Sequence, residues 1–172
     1  MSSTPRRSVL ALGAAAVLPG CSTQPQQFAS LGAVREVLAD LPGLHSTGAW
    51  NLAQVLAHAA QSIEYSIVGY PALKPTWFRA SVGSAAWAWF DARAQMSHPL
   101  DQPIPGAPDL SPALPLDEAR LRLIRAIDQF EQHTGALQPH FAYGDLDKAS
   151  YARAHLLHIC NHWSEIERVA SV

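Results

Sequence analysis

Lysine, cysteine and clustered positive charge are scarce in this sequence. It contains only two lysines, Lys74 and Lys148, only two cysteines, Cys21 and Cys160, and 12 basic against 14 acidic residues. The clustered lysine and arginine of a nucleic-acid-binding surface are therefore missing, which excludes that class of partner. A membrane-spanning run is missing as well, because the apolar stretch from Val9 to Leu18 is too short to cross the ~30 Å hydrocarbon core of a bilayer.

The N-terminus has the features of an export signal. Arg6 and Arg7 precede the apolar stretch, and the segment ends in "LPGC" at Cys21. A charged start, a short apolar middle and a small-residue end are typical of a secretory signal peptide. The segment "TPRRSVL" resembles a twin-arginine signal, although Val9 stands where that pattern usually has phenylalanine. "LPGC" resembles a bacterial lipobox, in which cleavage precedes Cys21 and the cysteine receives the lipid.

These features predict an exported lipoprotein. Residues 1–20 are then a signal peptide that is removed, and residues 21–27 are the lipidated cysteine and a polar tether. The mature protein would be anchored in the membrane of the bacterial envelope and face the periplasm. Lipid on Cys21 also excludes a disulfide with Cys160. The alternative is an ordinary secretory signal with an incidental cysteine.

Residues 28–172 have the length of one domain and show helical patterns. In the segment from Trp50 to Val68, the apolar residues Leu52, Leu56, Ile63 and Ile67 share one helical face. Similar patterns predict a short helix over Leu31–Leu41 and longer ones over Thr76–Gln95, Asp117–His133 and Leu146–Val169, the last with Asp145 or Asp147 as its N-cap.

The fold class follows from these segments and from the proline-rich stretch between two of them. Six of the chain's 13 prolines lie between His98 and Pro115. Proline lacks a backbone donor and has a restricted φ angle, so this stretch must be an extended loop. No segment shows the alternation of a β-strand. The sequence therefore predicts an all-α fold, a helical bundle with one long Pro-rich crossover.

The last predicted helix carries three of the chain's eight histidines. At about 100° per residue, His155, His158 and His162 fall on the apolar side of this helix with Ile159 and Ile166. His158 and His162 are four residues apart, so both imidazoles can reach one metal ion. His155 is about 10.5 Å from His162 along the helix axis and is assigned to the core or a pocket lining.

Residue patterns alone leave the function of these histidines open. A metal site needs a third ligand, and His58 is the candidate on another helix, although it lies off the main apolar stripe. The glutamate of an HExxH metalloprotease motif is missing after His158. The alternative is that these histidines only fill the core.

The order of motifs resembles the DinB-like (YfiT-like) putative metalloenzyme superfamily, and most closely one of its branches, the domain of unknown function 1569. The resemblance rests on "WNLAQVLAHAAQSIEYSIVGYP", from Trp50 to Pro71, and on "HFAYGDLDKASYARAHLLHICNHW", from His140 to Trp163. It spans about residues 28–169. The sequence departs from the family where His140 lacks a following proline and where Asn161 replaces a second histidine.

The resemblance implies a four-helix bundle with a short additional N-terminal helix. It also implies a divalent metal, Zn²⁺, Ni²⁺ or Fe²⁺, held by His58, His158 and His162, with His140, His155 and Tyr65 as pocket candidates. Three imidazoles leave a coordination position open, which suits a hydrolase or a thiol-dependent transferase acting on a small molecule. The catalytic residues are not identified, since Glu64, Tyr65, Tyr143 and Glu165 are equal candidates for proton transfer.

A second class of function remains, a non-catalytic helical binding or scaffold lipoprotein without metal. Bundles of this kind also often form homodimers. The remaining residues are assigned to structural positions. We expect the aromatic residues of the Thr76–Gln95 segment to lie in the core, Cys160 to be a packed thiol, and His45, His98 and His133 to be loop or surface residues.

Overall fold

The computed structural model describes residues 28–39 and 41–168. The predicted signal peptide, Cys21, the tether and Val169 at the end of the last predicted helix lie outside this range. Within the described residues, no helix is long and apolar enough to cross a membrane.

The described chain is mostly helical, in agreement with the predicted all-α class. Its helices are α1 (Leu31–Leu38), α2 (Leu52–Val68), α3 (Thr76–Phe78), a π-helical turn (Arg79–Gly83), α4 (Ser84–Arg93), α5 (Leu116–Gln132) and α6 (Lys148–Trp163). Two short strands, β1 (Leu44–Ser46) and β2 (Ile166–Arg168), were not predicted. The predicted N-cap of the last helix is confirmed as Asp147, whose side chain accepts a hydrogen bond from the Ser150 amide at 2.7 Å.

The two strands form a small antiparallel sheet in which Ser46 pairs with Ile166. This sheet explains why α6 ends at Trp163 and does not continue to Val169 as predicted. The chain turns after Trp163, and the Thr47 amide donates to the carbonyl of Glu165 at 2.8 Å. The start of α2 is thereby held beside the end of α6.

Helix α2 is the centre of the domain and is buried on nearly every side. It begins with a capping box, because the Gln54 amide donates to the Asn51 side chain at 2.9 Å and the Gln54 side chain accepts from the Asn51 amide at 3.1 Å. It packs mainly against α5 and also against α6. Arg122 of α5 donates to both carboxylate oxygens of Glu64, at 2.9 and 2.7 Å, so Glu64 has a structural partner.

The predicted Pro-rich crossover is confirmed, since residues 94–115 contain no helix. Side-chain amides of α2 and of its N-cap residue donate to alternate carbonyls of the crossover. The donors are Asn51, Gln54 and Gln61, and the acceptors are Pro112, Leu110 and Pro108. A segment that has few backbone donors of its own is thus held along α2 by its carbonyls.

The aromatic residues of α3 and α4 were expected in the core, and this prediction is wrong. Trp77 is 68% exposed and Trp89 is 60% exposed, while Phe78, Trp87 and Phe90 are half-buried. The core is formed instead by residues of α1, α2, α5 and α6. The α3–α4 segment contacts the rest of the domain at Gly83, where an added Cβ would lie 1.7 Å from the carbonyl oxygen of Ala142, and through an ion pair between Asp91 of α4 and Arg153 of α6.

Candidate metal centre

Three histidine side chains from two helices converge on one point. His58 lies in α2, and His158 and His162 lie one turn apart in α6. The Nε2 atom of His158 is 3.1 Å from Nε2 of His58 and 3.1 Å from Nε2 of His162. The three ligand atoms all lie within 4.8 Å of one another, so these residues could hold a metal ion.

Hydrogen bonding alone cannot satisfy this arrangement. A neutral imidazole has one protonated and one unprotonated ring nitrogen. If Nε2 of His158 carries the proton, it can point at only one of its two neighbours; if it does not, its single lone pair accepts from only one. One of the two 3.1 Å contacts therefore stays unfavourable among neutral imidazoles. A cation that accepts all three lone pairs would remove this conflict.

Two of the three nitrogen–nitrogen separations, those from His158 to His58 and to His162, fit a transition-metal ion. Two imidazole nitrogens at the usual ~2.0–2.1 Å from zinc lie about 3.3 Å apart at a tetrahedral angle and about 2.9 Å apart at a right angle. The observed separation of 3.1 Å falls between these values. The donor set, neutral nitrogen without carboxylate or thiolate, suits Zn²⁺, Ni²⁺ or Fe²⁺ and argues against Mg²⁺ and Ca²⁺, which prefer oxygen.

The surroundings keep the three histidines in the form that binds metal. Burial, followed by the proximity of His98, lowers the pKa of His58 to about 4. Burial and the neighbouring histidines lower the pKa of His162 to about 2 and that of His158 well below its usual value. All three rings are therefore neutral near pH 7, and their Nε2 lone pairs need not compete with protons.

Ring packing orients the triad more than hydrogen bonding does. The Trp50 ring stacks on His162 with centroids 6.1 Å apart and lies 4.9 Å from the ring of His58. The Nδ1 atoms of His58 and His162 are buried and have no hydrogen-bond partner among the described residues. Metal-binding histidines usually donate this second N–H to a carboxylate or carbonyl, so the site departs from that pattern.

A cavity of about 220 Å³ adjoins the triad and is lined by His58 and His158. Two of the predicted pocket residues, His140 and His155, line it as well. The third, Tyr65, is not part of the lining, and its ring packs against Tyr70 with centroids 5.8 Å apart.

His98, which was predicted to be a loop or surface residue, lies in the crossover loop but is partly buried beside the triad. Its ring centroid is 5.0 Å from that of His158 and 5.2 Å from that of His162. The Pro-rich crossover brings it there, and the only local signal was its position at the start of that crossover. Its Nδ1–H donates to the carbonyl of Pro99 at 2.8 Å, which leaves Nε2 as a hydrogen-bond acceptor.

The other two cavity histidines also have defined tautomers. Nδ1 of His140 accepts from the amides of Ala142 and Tyr143, both at 3.1 Å, so the proton of this ring is on Nε2. The Ser66 hydroxyl donates to the carbonyl of Ile63 at 2.6 Å and therefore accepts from Nε2–H of His155 at 3.2 Å. His140 thus offers a donor, and His155 is held by a buried hydrogen bond.

The comparison with protein families now identifies the chain. The profile of the family described as "Protein of unknown function (DUF1569)" matches residues 22–169. The chain belongs to this family. No curated protein and no solved structure shows a significant match to it. The family match covers α1 to β2 and includes all three residues of the triad.

Proposed function

We propose that this DUF1569 protein is a DinB-like, metal-dependent enzyme that acts on a small molecule. In this proposal α2, α4, α5 and α6 are the four helices of the superfamily's bundle, and α1 is the additional N-terminal helix. His58, His158 and His162 hold one divalent ion. The observation that carries the proposal is the pair of 3.1 Å Nε2 contacts, which neutral imidazoles cannot both satisfy with hydrogen bonds.

The residues around the triad support a catalytic role. A divalent ion supplies Lewis-acid activation, which hydrolysis and thiol transfer both use. His98 has an unprotonated Nε2 and stands beside two of the three ligands, so it can accept a hydrogen bond, and then a proton, from a nucleophile in the cavity. The apolar side chains of Met96, Ile104 and Phe141 restrict the water around that nucleophile.

We also propose that the protein is exported and anchored as a lipoprotein. This part of the proposal rests on the twin-arginine and lipobox resemblances of the first 21 residues. A twin-arginine route would carry the domain across the membrane already folded. Export after folding suits a protein that takes up its metal in the cytoplasm.

A second candidate is a non-catalytic binding or scaffold lipoprotein. The observation that favours it is the exposure of Trp77 and Trp89 on the α3–α4 surface, because exposed aromatic clusters often mark sites of association. The unpartnered Nδ1 atoms of His58 and His162 also fit this candidate. It predicts that the chain contains no stoichiometric metal.

Metal content distinguishes the two candidates. The full chain would be purified through a histidine-free tag and analysed by plasma mass spectrometry, beside a His158→Ala/His162→Ala variant. About one divalent metal per chain in the wild type, with loss in the variant, would support the enzyme. Both proteins free of metal, even after incubation with Zn²⁺ and Ni²⁺, would reject it in favour of the scaffold.

A further inference from the structure

In the metal-free domain, the cavity beside the triad has one formal charge, and that charge is positive. Among the described residues, its lining contains Lys74 but no aspartate or glutamate. The histidines of the lining add no charge near pH 7, since burial lowers the pKa values of His140 and His155 to about 3. The site is therefore electrostatically suited to an anion and unsuited to a cationic ligand.

Lys74 is the lysine that the fold leaves available. The ammonium group of Lys148 donates to the carbonyls of Glu131 and His133, at 2.8 and 2.6 Å. The side chain of Lys74 has no hydrogen-bond or carboxylate partner among residues 28–39 and 41–168. Its backbone amide, by contrast, is anchored to the Phe141 carbonyl at 2.9 Å. The base of this side chain is thus held at the cavity while its charged end is unpaired.

His140 places a neutral donor on the same side of the cavity. It precedes Phe141, the residue to which the Lys74 backbone is bonded. Because two backbone amides donate to Nδ1 of His140, its ring proton is on Nε2 and can be donated to a ligand. The ring is held by stacking on Tyr143, with centroids 4.2 Å apart and an interplanar angle of 5°. A cation and a fixed N–H donor are the pair of groups that suits a carboxylate.

The cavity volume limits the size of the ligand. At about 220 Å³ it is smaller than the ~300–1,000 Å³ of typical drug-sized ligand sites. A nucleotide or a polymer segment would not fit within it. The remaining walls include the apolar side chains of Met96, Ile104 and Phe141, which suit a short hydrocarbon body.

We propose that this cavity binds a small organic carboxylate, with its carboxylate held by Lys74 and His140 and its other end toward His58 and His158. The inference rests on the proposed function, because it takes the triad as the metal site, and it adds the class of substrate. A matched pair of probes tests it: 3-mercaptopropionate and its neutral amide, 3-mercaptopropionamide. They have the same length and the same thiol, and differ in the carboxylate charge.

The first measurement uses the Co²⁺-loaded full chain, in which a thiol that reaches the metal gives a charge-transfer absorption. We expect the acid to bind about fivefold more tightly than the amide, the effect of one partly solvated ion pair. Lys74→Gln should reduce the ratio of the amide's Kd to the acid's Kd to about one, and Lys74→Arg should retain the fivefold ratio. Arg125→Gln is the control, because Arg125 is an exposed cation of α5 outside the cavity lining. Equal Kd values for the two probes in the wild type would overturn the proposal.

A preference that survives Lys74→Gln would also overturn it, since the carboxylate would then be bound elsewhere, for example by the metal itself. The same probes are titrated against the metal-free chain by ligand-detected NMR, where the Lys74-dependent preference for the acid should persist. Failure of the chain to take up Co²⁺ therefore rejects the metal site alone. Loss of the acid preference in the metal-free chain rejects the carboxylate site.

Discussion

The side-chain amide of Gln54 donates to the carbonyl of Leu110 at 2.9 Å and ties the Pro-rich crossover to the first turn of α2. The same side chain accepts from the Asn51 amide in the capping box. One residue therefore starts the helix that carries His58 and holds the loop that carries His98. The same crossover is bonded to α6 at His98 itself, whose carbonyl accepts from the Asn161 side chain at 3.4 Å.

Gln54→Glu separates the two roles of this side chain. A glutamate can still accept from the Asn51 amide and is favourable in the first turn of a helix, but it cannot donate to Leu110. We expect a loss of about 1–2 kcal/mol in the free energy of unfolding, because the Leu110 carbonyl loses its partner and faces a negative charge. Hydrogen exchange measured by mass spectrometry should become faster in residues 96–115 and stay unchanged in α5. Gln129→Glu, on the exposed face of α5, is the control.

Gly83→Ala should disrupt the contact between the π-helical turn and residues 140–144. The added Cβ would lie 1.7 Å from the backbone oxygen of Ala142, and a backbone atom cannot move aside as a flexible side chain can. We expect urea denaturation to show that the free energy of unfolding falls by about 2–3 kcal/mol. Gly32→Ala is the matched control in α1, where the new Cβ meets its nearest atom, Ser30 Oγ, at an ordinary 3.5 Å. A loss in Gly32→Ala as large as that in Gly83→Ala would contradict this account.

The predictability of the candidate site follows from how each histidine is positioned. His158 and His162 share one helix, and a 3.6-residue period is sufficient to place them on one buried face. The prediction of His58 as a ligand needed the family resemblance, because His58 lies beside the predicted apolar stripe of α2. The structure shows that α2 is buried on that flank as well as on the stripe. The position of His98 at the triad was missed because it depends on contacts between the crossover and distant helices, such as the hydrogen bond from Asn161 of α6 to the His98 carbonyl, and no local pattern contains such contacts.

The errors in the prediction of the fold have similar physical causes. Strands of three residues are too short for an alternating pattern to be recognised, so the pairing of Ser46 with Ile166 could not be predicted. The tryptophans of α3 and α4 are apolar enough for a core, but whether they are buried depends on the neighbouring elements. Here the core is completed without Trp77 and Trp89.

Single substitutions should distinguish the proposed metal ligands from His98, which lies beside them. His58→Ala removes one of three Nε2 donors, and we expect metal content to fall from about one ion per chain to well below half. His98→Ala should retain the ion, because its ligand atom is not part of the group that lies within 4.8 Å. The measurement is plasma mass spectrometry after dialysis against equal concentrations of Zn²⁺. Loss of metal in His98→Ala as large as in His58→Ala would make His98 a fourth ligand.

The lipobox prediction concerns Cys21, which lies outside the described residues. Cys21→Ser should move the chain from the membrane fraction to the soluble fraction of the envelope, because stable anchoring requires the attached lipid. Cys160→Ser should leave it in the membrane fraction. The measurement is cell fractionation with mass spectrometry of the N-terminal peptide. An unmodified Cys21 in membrane-bound wild-type protein would reject lipidation and leave an ordinary secretory signal.

Acidification should destabilise the metal-free domain through its buried histidines, and His155 allows one contribution to be isolated. Burial lowers the pKa of His155 to about 3 in the folded state, against about 6.5 in the unfolded chain. Its contribution to stability is complete above pH 6.5 and is lost as the pH falls toward 3, because the unfolded state binds the proton first. Between pH 7 and 5 this loss is about 2 kcal/mol. Urea denaturation in the presence of a chelator measures the free energy of unfolding at each pH. Between pH 7 and 5 this free energy should decrease by about 2 kcal/mol less in His155→Leu than in the wild type. Parallel pH profiles of the two proteins would mean that His155 does not titrate as its burial requires.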